Sequence, residues 1–120
     1  MKLKVYCYSG CGTCRKALKY LDAKGVTYTL LPIRETPPSR AELKKMLKYL
    51  EGDVKKLLNT SSKDYREGGF REKLSAMTSE AVFDALIANG NLVKRPFVLG
   101  SDFGLVGFRQ EIWEPFFQAE

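Results

Sequence analysis

Residues 3–33, LKVYCYSGCGTCRKALKYLDAKGVTYTLLPI, decide the fold. The stretch opens in alternation. Leu3, Val5 and Cys7 fall on one side, and Lys4, Tyr6 and Tyr8 on the other, which is the period of a β-strand. After Gly10 the period changes. Ala17, Leu18 and Leu21 share one helical face, Lys16 and Lys19 lie mostly off it, and Gly25 supplies a stop. Val26 to Ile33 is again apolar and β-branched enough for a strand. A strand, a helix and a strand within about 30 residues make a βαβ unit, with parallel strands and a right-handed crossover.

Beyond this unit the pattern turns helical. Pro37 and Pro38 end the second strand, and Ser39 with Glu42 forms a capping box. Leu43, Met46, Leu47 and Leu50 follow at the i, i+3, i+4, i+7 spacing of a core-facing stripe. Gly52-Asp53 breaks that helix and starts a shorter one through Leu58. Residues 59–70, NTSSKDYREGGF, read as a loop with a single helical turn. A further helix is expected from Ser79 to Asn89, with Val82, Phe83, Leu86 and Ile87 inward and Gly90 closing it. Strands then return: Lys94 to Leu99, a turn through Gly100-Ser101-Asp102, and Leu105 to Phe108 read as an antiparallel hairpin. Trp113, Phe116 and Phe117 share one side of a final short helix and are expected to dock on the sheet. No internal repeat interrupts this order. It is α/β, a thioredoxin-like fold with a helical insertion (about residues 39–89) between the βαβ unit and a C-terminal ββα unit.

At 120 residues, 44% hydrophobic and 28% charged, the chain fits one globular domain spanning residues 1–120. A domain of this size buries roughly two-thirds of its unfolded surface and needs no disulfide or metal staple. No apolar run approaches the roughly 18 residues of a membrane span, and no signal-peptide core follows Met1, so the expected location is cytoplasmic. The histidine count is zero. Ser-His-Asp triads, Cys-His pairs and histidine zinc sites are thereby excluded, and a cysteine nucleophile must draw its thiolate from fixed charge and dipoles. The net charge of +6 makes nucleic acid a conceivable partner. The basic residues are scattered, however, and Lys44, Lys45 and Lys48 read as a solvated helix face, so no direct sequence-specific nucleic-acid binding is expected.

Chemistry concentrates at Cys11-Gly12-Thr13-Cys14-Arg15, where the first strand hands over to the first helix. Unpaired N–H groups and the positive end of the helix dipole stabilise a thiolate there, with Arg15 and Lys16 adding charge. Cys11 precedes the helix and should be exposed, whereas Cys14, one turn on, should be more buried. Positions three apart on a helix are neighbours, so a Cys11–Cys14 disulfide is sterically feasible. The division of labour that follows makes Cys11 the attacking thiolate and Cys14 the resolving thiol. Cys7 completes a C-x3-C-x2-C spacing used by iron–sulfur clusters, but such enzymes need a far larger barrel. Cys7 shares the face of Leu3 and Val5, so packing accounts for it and no metal is expected. Arg95 and Arg109 flank the C-terminal hairpin, and a bidentate guanidinium suits an oxyanion or carboxylate. Surface salt bridges are the plainer reading of both arginines.

These residues resemble the ArsC/Spx family, the arsenate reductase-related branch of thioredoxin-like proteins. The resemblance rests on CGTCRKAL at 11–18, ETPPSRAEL at 35–43, LLNTSSKDYRE at 57–67, VKRPFV at 93–98 and VGFRQE at 106–111. It implies a cysteine that attacks arsenate and three arginines that hold the oxyanion. By position Cys11 matches the nucleophile, Arg95 and Arg109 match two of the arginines, and Gly12, Thr13 and Arg15 belong to the substrate-binding loop. Pro96 is the candidate for the cis-proline that faces the cysteine in thioredoxin-like folds. The third arginine position is Asn59 here, with Lys63 and Arg66 as nearby cations. The serine of the reductase loop is Cys14, which favours an internal disulfide over a mixed disulfide with glutathione. The resemblance thus implies a cytoplasmic thiol–disulfide oxidoreductase, a monomer without bound cofactor, regenerated by thioredoxin or by glutaredoxin and glutathione. The alternative it implies is an Spx-type redox-sensing regulator that contacts the α C-terminal domain of RNA polymerase.

Overall fold

A computed structural model describes residues 2–117. Strand β1 (Lys2–Cys7) lies parallel to β2 (Thr27–Pro32) and antiparallel to β3 (Phe97–Leu99), which pairs in turn with antiparallel β4 (Gly104–Val106). The sheet order is β2-β1-β3-β4, and the fold is thioredoxin-like with a helical insertion between β2 and β3. Helix α1 (Gly12–Ala23) makes the crossover. It ends in a Schellman motif: Val26 N–H donates to Leu21 C=O, Gly25 N–H donates to Asp22 C=O, and Gly25 takes φ +70°.

Both sides of β1 are covered. Leu3, Val5 and Cys7 pack with Ala17, Leu21, Val98, Trp113 and Phe117 on one face. Tyr6 packs with Leu43, Met46, Phe83, Leu86 and Phe97 on the other. The side that alternation marks as polar is therefore a second core face. Tyr6 is buried there with its hydroxyl donating to Glu42 Oε1 at 2.7 Å, so its one polar atom is satisfied. No helix among the described residues is long and apolar enough to cross a membrane.

The insertion begins with α2 (Arg40–Tyr49), started by the expected capping box: Glu42 N–H donates to Ser39 Oγ, and Ser39 N–H donates to Glu42 Oε1. A 3-10 turn, Val54–Leu57, is capped by Asp53. The stretch 59–70 is more ordered than its polarity suggests. Ser62 caps α3 (Lys63–Glu67), α4 (Phe70–Lys73) follows, and the buried rings of Tyr65 and Phe70 stack at 5.9 Å. Two aromatic anchors and one cap are enough to order a segment that propensity leaves open. Helix α5 (Ser79–Ala88) buries Val82, Phe83 and Leu86, but Ile87, next round the helix, faces outward. Gly90 does not close α5. It opens a 3-10 turn pressed against β2's exit, where a Cβ would lie 2.0 Å from the Ile33 carbonyl oxygen. Helix α6 (Gln110–Trp113) and a 3-10 turn bury Trp113 and Phe117, while Phe116 turns outward and stacks on Phe103 at 4.9 Å.

Candidate active site

Cys7 is the last residue of β1, and the chain reaches α1 through the short turn Tyr8–Gly10. Cys11 N–H donates to the Tyr8 carbonyl at 3.0 Å, and Arg15 N–H donates to the Cys11 carbonyl at 3.1 Å. Cys11 is thus the N-cap of α1, extended at φ −95° and ψ 118°, and no side chain caps the first turn. The unpaired N–H groups of that turn and the positive end of a 12-residue helix converge beside it. Arg15 folds back so that Nη1 donates to the Ser9 carbonyl at 3.2 Å, strapping the turn. Gly12 and Thr13 are exposed, and a Cβ at Gly12 would meet nothing nearer than Arg15 Nη2 at 3.7 Å.

All three cysteines are free thiols. Cys14 is 1% exposed, as the helical spacing suggests, and Cys7 6%. Cys11 is half-buried rather than exposed, because it packs on the core that Leu3, Val5 and Trp113 share. Cys7 and Cys14 lie in one buried cluster, on which Cys11 also packs, and hydrogen bonding between the two thiols shifts their ionisation in opposite directions. That hydrogen bond holds the Cys14 thiol below its ordinary value against the opposing effect of burial, helped by Tyr8 N–H, by Cys11 and by the charge of Arg95. The same hydrogen bond drives Cys7 far upward, followed by burial and the charges of Cys14 and Cys11, with Arg95 opposing. Cys7 and Cys14 also line one cleft of about 530 Å³, walled by Leu18, Leu30, Leu31 and Pro32 and edged by Tyr8, Arg15 and Glu35.

The Arg95–Pro96 bond is cis, and Pro96 C=O accepts from Gly107 N–H at 2.9 Å. The Arg95 guanidinium carbon lies 5.3 Å from the centre of the Tyr8 ring, on which Arg34 also sits at 4.6 Å. Arg95 Nε and Nη1 are buried without a hydrogen-bond partner among the described residues. A guanidinium held on an aromatic ring, with two donors to spare and its charge reaching Cys7 and Cys14, has the chemistry to donate to an anion.

The other arginines are placed differently. Arg109 caps α6, is exposed, pairs with Glu111 at 3.1 Å and lines a separate cleft with Lys55, Lys56 and Lys94. Asn59 is half-buried, its N–H donating to the Leu92 carbonyl and its own carbonyl accepting from Ser62, so its backbone ties the insertion to the strand side. Lys63 pairs with Glu67 at 3.7 Å and Arg66 Nη1 donates to the Ser61 carbonyl, both on the surface. Sequence reasoning missed Tyr8 and Arg34. The only signal was an aromatic immediately after a cysteine at a strand end. Among the described residues no group of three or more Cys, Asp or Glu side chains is arranged to hold a metal ion.

A sheet of this order with a cysteine capping the first helix defines a thioredoxin-like protein. The chain belongs to the ArsC family, which it matches over residues 6–116. It is 40% identical to the uncharacterised protein YusI of Bacillus subtilis over 114 residues, covering 95% of this chain and 97% of that one. It is 31% identical to an arsenate reductase of Escherichia coli over 97 residues, or 81% of this chain and 67% of that one. The crystal structure of an ArsC family related protein from Bacteroides fragilis superposes with a TM-score of 0.90 at 41% identity, covering 96% and 97% of the two chains.

Proposed function

We propose that the chain is a thiol–disulfide oxidoreductase of the arsenate reductase-like class, working in the cytoplasm on arsenate or on an oxidised thiol. The observation that carries this reading is Arg95: two buried donors without a partner among the described residues, on a charge that favours the Cys14 thiolate in the first turn of α1. With arsenate, the Cys11 thiolate attacks arsenic and water leaves, giving a thio-arsenate ester. Arg95 neutralises charge on the oxyanion. Cys14 then attacks the Cys11 sulfur, the S–As bond breaks, and its electron pair stays on arsenic, which departs as arsenite. A Cys11–Cys14 disulfide remains. A thioredoxin dithiol, or glutaredoxin with glutathione, returns it to two thiols. With an oxidised thiol as substrate the same two steps run through a mixed disulfide.

The arginine now paired with Glu111 serves as a second cation if its side chain swings from that exposed contact. The test is NADPH oxidation coupled to arsenate, once through thioredoxin and its reductase, once through glutathione and glutaredoxin. Turnover should vanish in Cys11→Ser, and Cys14→Ser should accumulate a mixed disulfide at Cys11. Turnover near wild type in Cys11→Ser would sink the assignment.

A further inference from the structure

Three cysteines share the buried cluster at this site, Cys11 at its edge, whereas the reduction cycle above uses two. We propose that Cys7 is a third exchange thiol. It takes Cys14 over from the Cys11–Cys14 disulfide, so the oxidised chain comes to rest as Cys7–Cys14 and Cys11 is released. The inference rests on the reading of Cys11 and Cys14 as the first disulfide pair.

Position is the first argument. Cys7 closes β1 and Cys14 lies in the first turn of α1, yet both are buried in one cluster and line one cleft. Cys14 therefore shares its cluster with two other cysteines, Cys11 at the helix cap and Cys7 at the strand end. A disulfide needs the sulfurs to close to about 2.05 Å, and two thiols in the wall of one cleft are placed to make that approach.

Access is the second. Cys7 and Cys14 both line the apolar cleft beside Leu30 and Pro32, and Cys11 does not. Transfer of the bond to Cys7 therefore moves it from the helix cap to the cleft. A bond there is buried, since Cys14 is 1% and Cys7 6% exposed, and it leaves Cys11, the most exposed of the three, free to attack again.

The third argument concerns the proton. In the reduced chain Cys7 keeps its proton first because it is hydrogen-bonded to Cys14, and then because it is buried. Once Cys14 is tied to Cys11, that hydrogen bond to a thiolate and that negative charge are gone, and Arg95 still favours the Cys7 thiolate. Cys7 thus becomes easier to ionise when exchange calls for it. The step balances without a further oxidant: the S–S bond from Cys7 to Cys14 forms, the bond from Cys11 to Cys14 breaks, and Cys11 leaves as a thiolate that takes up the proton Cys7 loses.

The plainer alternative is that Cys7 only packs, since it shares a core with Leu3 and Val5. Disulfide mapping separates the two. The full chain is oxidised with limiting diamide, the oxidant removed, samples quenched in acid over time, free thiols alkylated, and the unreduced digest read by mass spectrometry. In the wild type Cys7–Cys14 should grow as Cys11–Cys14 declines, with Cys11 becoming alkylatable. In Cys11→Ser, diamide should take the two remaining thiols to none. The proposal falls if Cys7 stays alkylatable in every oxidised wild-type molecule. It also falls if Cys11→Ser, with wild-type circular dichroism, keeps both thiols. Cys7–Cys14 formation without arsenate or disulfide turnover would refute the enzymatic reading and leave the thiol exchange standing. Turnover with no such disulfide would do the reverse.

Discussion

Replacing Arg95 with methionine should stabilise the protein while removing the proposed anion site. The guanidinium carries two buried donors, Nε and Nη1, without a partner among the described residues. Each unsatisfied buried donor costs about 1–3 kcal/mol, with the charge adding to that. Against this stands the contact with the Tyr8 ring at 5.3 Å, worth about 0.5–1 kcal/mol. Because Arg95 is only partly buried, the lower end of the penalty applies. The net gain in Arg95→Met is then about 1–2 kcal/mol, with the aliphatic stem preserved. For a chain of this length that raises the midpoint by roughly 4–8 °C. The assay is thermal unfolding by circular dichroism in a zwitterionic buffer, repeated with sulfate or arsenate. Wild type should gain about 1.4 kcal/mol at ten times the anion's dissociation constant, and the variant nothing. A variant destabilised by 1 kcal/mol or more in the anion-free buffer would show that Arg95 is a structural strut and refute this reasoning.

Three further outcomes follow from contacts elsewhere in the fold. Cys7→Ala, read in a Cys11→Ser background by ultraviolet thiolate absorbance against pH, should raise the Cys14 midpoint by about 1–2 pH units, because a hydrogen bond to a charged acceptor worth about 1.5–3 kcal/mol is lost. An unchanged midpoint would mean that Cys7 does not hold the Cys14 thiolate. Glu42 accepts from Lys4 Nζ, Tyr6 Oη and Ser39 N–H, and these bonds hold its carboxyl below the ordinary range although burial opposes them. Its folded value lies under its unfolded one, so its contribution is whole above the ordinary carboxylate pKa and fades as pH falls through the folded value. Glu42→Ala should cost about 2 kcal/mol at neutral pH, less in acid, by urea unfolding; an equal loss at both pH values would refute the charge-based account. Gly90→Ala drives a Cβ to 2.0 Å from the Ile33 carbonyl oxygen and should lower stability by about 2–3 kcal/mol, seen as a urea midpoint lower by roughly 1–2 M; no shift would mean the turn yields.

The parts of the fold that were legible in sequence are those whose signal is local. The period change after Gly10, the positive-φ stop at Gly25 and the reciprocal Ser39–Glu42 cap each involve residues a few positions apart, and each appears in the structure. The failures need contacts across the chain. Residues 59–70 look like a loop until Tyr65 and Phe70 have a core to enter. Ile87 sits on the right stretch of α5 but beyond the width of its buried face, and Phe116 finds Phe103 rather than the sheet. At the candidate site, the cysteine cap of α1 was readable from CGTC. The stacking of Arg34 and Arg95 on Tyr8 and the spare donors of Arg95 were not, because each joins residues that only the sheet brings together.

That joining follows from register. Tyr6 stands opposite Phe97 in the antiparallel pair of β1 and β3, so continuing the count past the ladder sets Cys7 against Pro96 and Tyr8 against Arg95. On its other side Cys7 pairs with Pro32, and its carbonyl accepts from Ile33 N–H at 2.9 Å. The position of the guanidinium is therefore a property of the sheet, not of the loop that carries it. A slip of one residue would take Arg95 off the Tyr8 ring and turn Val5 and Val98 out of their core, so the packing of these two valines holds the register and with it the site. This explains how a cation with spare buried donors persists: the cores on both faces of β1 resist the movement that would let it escape to water. The same rigidity fixes Cys7 against Cys14, since one thiol ends the strand and the other rides on the helix packed over it. Chemistry at Cys11 can move charge and bonds among the three sulfurs while the strand end, the helix start and the arginine stay where the sheet sets them.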